Sequence, residues 1–287
     1  MKCSVDKIKI LINHVGSDVM NNLNMWLSEN PHVSEHYTSK KLSTCHYNFL
    51  YCTNEGNLYV GIMPNWIQCG RNQCVVLEYN PNKVDISFFP HLASLFCDID
   101  KYWSIMSIDL AVDIYRNYND FVLLKRDVRE KKVTFGHRFI ETIYLGDLGH
   151  NHVKFYNKSI EQGTDFNWSR FEITLKNLDK IQKPFTTFID LSEFKNYVSI
   201  PQLYVRNNSP QFSSLKDTTY ITLMGLLSDV DLLYTIKDYK TRKKYENLLK
   251  EFLISVDITH ELLLDTYNDY INYCKNIQFL KDDPDFF

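Results

Sequence analysis

Glycine is scarce in this chain: nine in 287 residues, about half the usual share of ~7%. No internal repeat and no low-complexity linker interrupts it. No run of ~18 apolar residues occurs, so no membrane-spanning helix is expected. The first residues, MKCSVDKIKI, are too short and too polar for a cleavable signal peptide. The seven cysteines are odd in number, which fits reduced thiols in a cytoplasm better than a disulfide framework. Cys45, Cys52, Cys69 and Cys74 lack a CxxC spacing, so a zinc site is not expected from them. A basic excess is missing too. The net charge is -3 and the pI about 6.3, which counts against strong nonspecific affinity for nucleic acid.

What is present suffices for a sizeable core. Apolar residues make up 44% and aromatics 14%, in a length that suits one large domain or two small ones. Charge is uneven: Lys125–Lys132 and Lys237–Lys244 are basic runs, and the KDDPDFF tail is acidic. VDKIKILI reads as a first strand, followed by a helix capped by Asp18 with Val19, Leu23, Trp26 and Leu27 on one face. HYNFLYCT, NLYVGIM and QCVVLEYN read as strands. Pro90 begins an expected helix with Leu92, Leu95, Phe96 and Ile99 at helical spacing. SIMSIDLAVDIY is a strand, and NDFVLLKRDVREKK leans towards helix. RFIETIYLG and HVKFYNKS form an expected hairpin around DLGHN, with WSRFEITLK as a third strand. From Pro184 onward the pattern turns helical, with Asp217 and Asp257 as expected caps. In the last helix Leu263, Tyr267, Tyr270, Cys274 and Ile277 form a core stripe.

Three strands carry polar residues where a simple buried strand would not. Side chains alternate along a strand, so Asp109, Ala111 and Asp113 share one face of SIDLAVD. Lys154, Tyr156 and Lys158 share a face of HVKFYNKS, and Arg170, Glu172 and Thr174 share a face of WSRFEITLK. Placed in one antiparallel sheet, they would present three carboxylates, a tyrosine, two lysines and an arginine. Carboxylates at that density suit a hard divalent cation such as Mg²⁺ or Mn²⁺. A tyrosine beside cations suits a nucleophile, and the lysines and arginine suit a phosphate. A solvated sheet face laced with cross-strand ion pairs would look the same. His150 and His152 flank Asn151 at the hairpin tip, where a solvated turn is the simpler reading than a metal site.

The segments SIDLAVD, ETIYLGDLGHNHVKFYNKSIEQG and WSRFEITLK, over about residues 104–176, resemble the core of the replication initiation factor family. LEYNPNK, Leu77 to Lys83, resembles a strand found upstream in such proteins. The family comprises rolling-circle initiators of small Gram-positive plasmids and phages, and related relaxases of integrative conjugative elements. The resemblance implies a tyrosine that attacks one DNA strand at an origin, keeps the 5′ phosphate and frees a 3′ hydroxyl. By position it implies Tyr156 as nucleophile with Tyr144 as the rival, and Asp109, Asp113 and Glu172 as ligands of Mg²⁺ or Mn²⁺. Lys158 and Arg170 would hold phosphate, Lys154 would touch DNA, and Glu161 would be a further acid or ligand. Origin DNA, a host helicase and polymerase, and a second copy in a homodimer are the implied partners. Lys240, Arg242, Lys243 and Lys244 are the expected contacts to duplex phosphates. The chain has no obvious N-terminal helix-turn-helix, which favours replication over conjugative transfer. A relaxase with the same chemistry, or a DNA-binding regulator that has lost it, are the alternatives.

The expected architecture is α+β: a curved, mostly antiparallel sheet carries the active site, and the C-terminal region is helical. The expected organisation is an N-terminal α+β region over 1–100, a catalytic sheet core over 101–183, and a helical region over 184–287 for origin binding or dimerisation.

Overall fold

A computed structural model describes residues 1–29, 33–35, 49–52, 56–63, 73–84, 103–124, 130–134, 140–146, 150–176, 188–197, 200–206 and 215–279. The helix expected from Pro90, most of the DLGHN turn, Lys125–Arg129 and the acidic tail lie outside them.

The fold is α+β, organised on an antiparallel sheet of ten strands. Two strands form its centre, β1 (Lys2–Val15) and β6 (Trp103–Ile114). On one side of β1 lie β5 (Gln73–Tyr79), β4 (Asn57–Met63), β3 (Phe49–Cys52) and β2 (Val33–Glu35). On the other side of β6 lie β11 (Ser169–Lys176), β10 (His152–Asn157), β9 (Ile140–Gly146) and β8 (Glu130–Thr134).

Alternation sorts each strand into two faces. The back face is apolar: Ile8, Ile10 and Ile12 from β1, Ile108, Leu110 and Val112 from β6, and Phe171, Ile173 and Leu175 from β11 are all buried. Helix α1 (Ser17–Glu29) adds Met20, Leu23 and Leu27 to that core. The long final helix α7 (His260–Phe279) packs against β1 and β6 with Leu263, Tyr267, Tyr270, Ile271 and Cys274. Tyr79 and Tyr270 satisfy each other there, hydroxyl to hydroxyl at 2.6 Å.

A second, three-stranded sheet has the order β13 (Leu253–Ser255), β12 (Gln202–Arg206), β7 (Phe121–Leu124). Its two faces serve two cores. Phe121, Leu123, Leu203 and Val205 join the main core. Val122, Leu124, Tyr204 and Leu253 join a separate cluster with helices α4 (Asp217–Ser228), α5 (Leu232–Thr235) and α6 (Tyr239–Glu251). The short helices α2 (Lys158–Gln162) and α3 (Leu191–Tyr197) and a 3-10 turn (Tyr118–Asp120) complete the described elements.

Several sequence expectations are corrected. NDFVLLKRDVREKK is not an α-helix where it is described: after a 3-10 turn at Tyr118–Asp120 it supplies β7 and the start of β8. The region after Pro184 is not helical throughout, because β12 and β13 interrupt it. The last helix is capped by Thr259, whose hydroxyl accepts from Leu262 N at 3.2 Å, and not by Asp257. Asp18 lies inside the first turn of α1, since Gly16 O already accepts from Met20 N. Asp217 likewise lies inside α4, with Lys216 at the cap and no side-chain cap bond.

Candidate active site

The polar face of the sheet assembles by register. One row across the strands runs Lys7, Asp109, Thr174, His152. The next runs Ser4, Ala111, Glu172, Lys154, Tyr144. The third runs Lys2, Asp113, Arg170, Tyr156, Thr142. Ala111 sits opposite Glu172, and its small side chain leaves room beside the carboxylate. Asp109, Asp113, Arg170, Glu172 and Tyr156 are all buried despite their polarity. Buried polar groups are costly unless paired, and here two separate networks pair all of these but Asp109, which faces Lys7.

The first network centres on Glu172. Its Oε1 pairs with Lys154, and its Oε2 accepts a hydrogen bond from the Tyr156 hydroxyl at 3.2 Å. Burial pushes the Glu172 carboxyl above the ordinary carboxylate range; Lys154 opposes that and the nearby Asp109 charge adds to it. Burial works against the Lys154 ammonium, but Glu172 outweighs it and holds the lysine above its usual value. The Tyr156 phenol is also pushed up, first by burial and then by Glu172 and Glu161. The resting tyrosine therefore keeps its proton and donates it to Glu172. The flanking lysines lie within cation–π range of the ring: Lys154 Nζ and Lys158 Nζ are 5.7 and 5.5 Å from its centroid.

The second network centres on Arg170. Its Nε and Nη2 donate to Asp113 Oδ1 and Oδ2 at 2.7 and 2.9 Å, and its Nη1 donates to Asp6 Oδ1 at 2.7 Å. Trp168 Nε1 donates to Asp113 Oδ1 as well, at 2.7 Å. Both Asp113 oxygens are thus occupied, and these carboxylates raise the guanidinium pKa against its burial. Lys158 is not on the strand. It is the first residue of α2, which Asn157 caps by accepting from Ile160 N, and it pairs with Glu161.

Of the expected ligands, Asp109 and Glu172 line one cavity of about 430 Å³ together with Glu78, Lys7, Lys154 and Tyr156. Asp113 lines a neighbouring one. Among the described residues no three His, Cys, Asp or Glu side chains are gathered to hold a metal ion. Asp109 nonetheless offers a donor: its Oδ1 is buried with no hydrogen-bond partner, while Oδ2 lies 3.5 Å from Lys7 Nζ. Mg²⁺ commonly takes only one or two carboxylates and fills its shell with water and substrate phosphate. Asp109 fits such a site; Glu172 lines the same cavity but its oxygens already meet Lys154 and Tyr156, as those of Asp113 meet Arg170 and Trp168.

Tyr144, the rival nucleophile, is half-buried and lines a cavity of about 310 Å³ with Thr142, Lys154, Tyr156 and Glu161. His150 is exposed; His152 is buried in β10, where burial lowers its pKa and its Nδ1 lies 3.0 Å from His150 O. Lys240, Arg242, Lys243 and Lys244 lie on α6, outside the polar face. Lys240 and Lys244 are exposed, Arg242 lies 5.8 Å from the Tyr239 ring centroid, and Lys243 pairs with Glu246 at 3.3 Å. Sequence reasoning missed Asp6, Lys7, Glu78 and Trp168. The alternation KIKI, and Glu78 inside the LEYNPNK strand, were the available signals.

No protein-family model and no curated protein sequence matches the chain. Among solved structures, a rolling circle replication initiator protein from Geobacillus stearothermophilus is similar. It is 16% identical, over 79% of this chain and 96% of that chain, with a TM-score of 0.37.

Proposed function

We propose that the chain nicks and rejoins one strand of DNA through a phosphotyrosine, in the role of a rolling-circle replication initiator. The observation that carries the reading is the Tyr156 hydroxyl donating to a buried carboxylate whose pKa is raised. A carboxylate with a raised pKa is a better proton acceptor than an ordinary one, and it is already within reach of the proton.

In the forward step the Tyr156 oxygen attacks the scissile phosphorus. The phenolic proton passes to Glu172, the P–O3′ bond breaks, and the 3′ oxygen leaves and takes a proton from solvent. The 5′ phosphate stays on the tyrosine. Attack by a 3′ hydroxyl reverses the sequence and reseals the strand. Lys154 and Lys158 flank the ring and supply positive charge near the phosphate. Asp109, with water and substrate phosphate completing the shell, would hold Mg²⁺ or Mn²⁺, which would act as a Lewis acid on the phosphate when bound.

Tyr144 is the second candidate, favoured by its greater exposure in the same cavity. Incubating the chain with Mn²⁺ and single-stranded DNA from its own replicon should give a covalent protein–DNA band. Peptide mapping should find the oligonucleotide on Tyr156. Attachment at Tyr144 would overturn the assignment, and no adduct under any condition would overturn the function.

A further inference from the structure

Beside the polar face, three aromatic rings stand together on a tied-down loop. Phe166 and Trp168 are stacked, with centroids 5.5 Å apart and planes 17° from parallel. Tyr115, at the end of β6, lies 6.5 Å from the first and 6.3 Å from the second. Large aromatic side chains usually bury, yet Tyr115 is 62% exposed and Phe166 51%.

The exposure does not come from a loose loop. Ser159 clamps both ends of the aromatic segment: its Oγ accepts from Trp168 N at 2.7 Å and donates to Phe166 O at 2.6 Å, and its N donates to Trp168 O at 3.0 Å. Asn117 Nδ2 adds a bond to Asn167 Oδ1 at 3.3 Å. Trp168 is fixed from below by its bond to Asp113. The rings are held open in advance, so a ligand stacking on them meets little ordering cost.

Their position ties them to the reacting group. Lys158 Nζ is 5.5 Å from the Tyr156 centroid and 5.9 Å from the Trp168 centroid, so one ammonium bridges the two rings. Arg170 Cζ is 5.6 Å from Trp168. The adjoining cavity, about 380 Å³, has four cationic side chains, Lys2, Lys83, Lys158 and Arg170, against three carboxylates. Exposed aromatic faces beside a cavity whose lining carries more cations than carboxylates are the pairing that single-stranded nucleic acid needs: π-faces for bases, cations for phosphates.

We propose that Tyr115 and Phe166, anchored by Trp168, form a stacking shelf for an unpaired DNA base next to the phosphate that Tyr156 attacks. This rests on the nicking function proposed above and adds a subsite to it. The shelf selects melted over paired DNA, because a base inside a duplex has no free face to offer. Stacking tolerates any base, so the shelf contributes affinity and positioning without reading sequence.

The test uses the full chain, a fluorescently labelled single-stranded oligonucleotide of mixed sequence, and the same sequence as a duplex. Fluorescence anisotropy gives both affinities. Tyr115→Leu with Phe166→Leu keeps apolar bulk but removes the π-faces. It should weaken single-strand binding roughly ten-fold or more while leaving duplex binding in place. Phe166→Tyr should restore most of the loss, which also shows that the fold tolerates change there. Unchanged single-strand affinity, or equal loss for single strand and duplex, would overturn the shelf. If the wild-type chain forms an adduct in the same samples, the nicking function stands regardless. A wild-type chain that binds no single strand and forms no adduct would overturn both.

Discussion

Replacing Asp113 by Asn separates a metal ligand from a positioning residue. The Asp113 and Arg170 side chains are 6% and 7% exposed. Asn keeps one acceptor oxygen, but turns an amide N–H towards an arginine N–H where the second oxygen accepted. A charge-assisted hydrogen bond contributes about 1.5–3 kcal/mol, and breaking a buried pair costs about 3–5 kcal/mol. Asp6 still meets Arg170 Nη1 at 2.7 Å, so the buried guanidinium keeps one carboxylate partner. The expected loss is therefore near the low end, about 3 kcal/mol. For a chain of this size that corresponds to a fall in Tm of roughly 6–12 °C. Thermal melts by circular dichroism read this directly, and Mn²⁺ titration followed by electron paramagnetic resonance reads the metal. The variant should melt lower and keep its Mn²⁺ affinity. An unchanged Tm with lost Mn²⁺ binding would refute the reasoning and return Asp113 to the metal.

Tyr156→Phe removes only a hydroxyl that donates to Glu172; it should abolish the covalent adduct while a labelled strand still binds, and persistent adduct would move the chemistry to another tyrosine. Glu172→Gln should also abolish nicking, with a distinctive stability profile. Because the folded carboxyl pKa is raised above 4.5, Glu172 contributes stability below that value and loses it as pH rises through the folded pKa. The Gln variant cannot ionise, so it should match wild type in acid and equal or exceed it at pH 8 in urea melts. A variant clearly weaker at pH 8 would mean that the Lys154 pair outweighs burial. Neutralising Lys240, Arg242, Lys243 and Lys244 together should weaken duplex binding and flatten its salt dependence. The adduct on a short single strand should persist, and an unchanged salt slope would assign these residues to a solvated face. Excess chelator should stop nicking in an assay on supercoiled DNA, and full cleavage in chelator would rule out the divalent cation.

Much of the polar face was legible because strand alternation has a period of two. A single polar residue inside SIDLAVD or WSRFEITLK fixes the side on which its neighbours two away must lie. Helix against strand at Phe121–Leu124 was not legible for the same physical reason: β7 is buried on both faces, so FVLL is a continuous apolar run without alternation. Asp6, Lys7 and Glu78 each look like an ordinary polar position in sequence. Their meaning comes from register with strands many residues away, which no local pattern carries. The partnership of Asp113 with Arg170 was hidden likewise: three carboxylates on one face suggested one job, and cross-strand pairing divided them into two.

The short strand β7 has a consequence for how the chain is made. It lies in sequence between β6 and β8, both in the large sheet, yet pairs with β12 and, through it, lies in the layer that β13 completes. A ribosome emits β7 about eighty residues before β12 and well over a hundred before β13. Until they emerge, FVLL has two apolar faces and no neighbour on either edge, which is an aggregation-prone state. Slowed elongation or early release after β11 should therefore yield a sticky fragment and not a smaller folded protein.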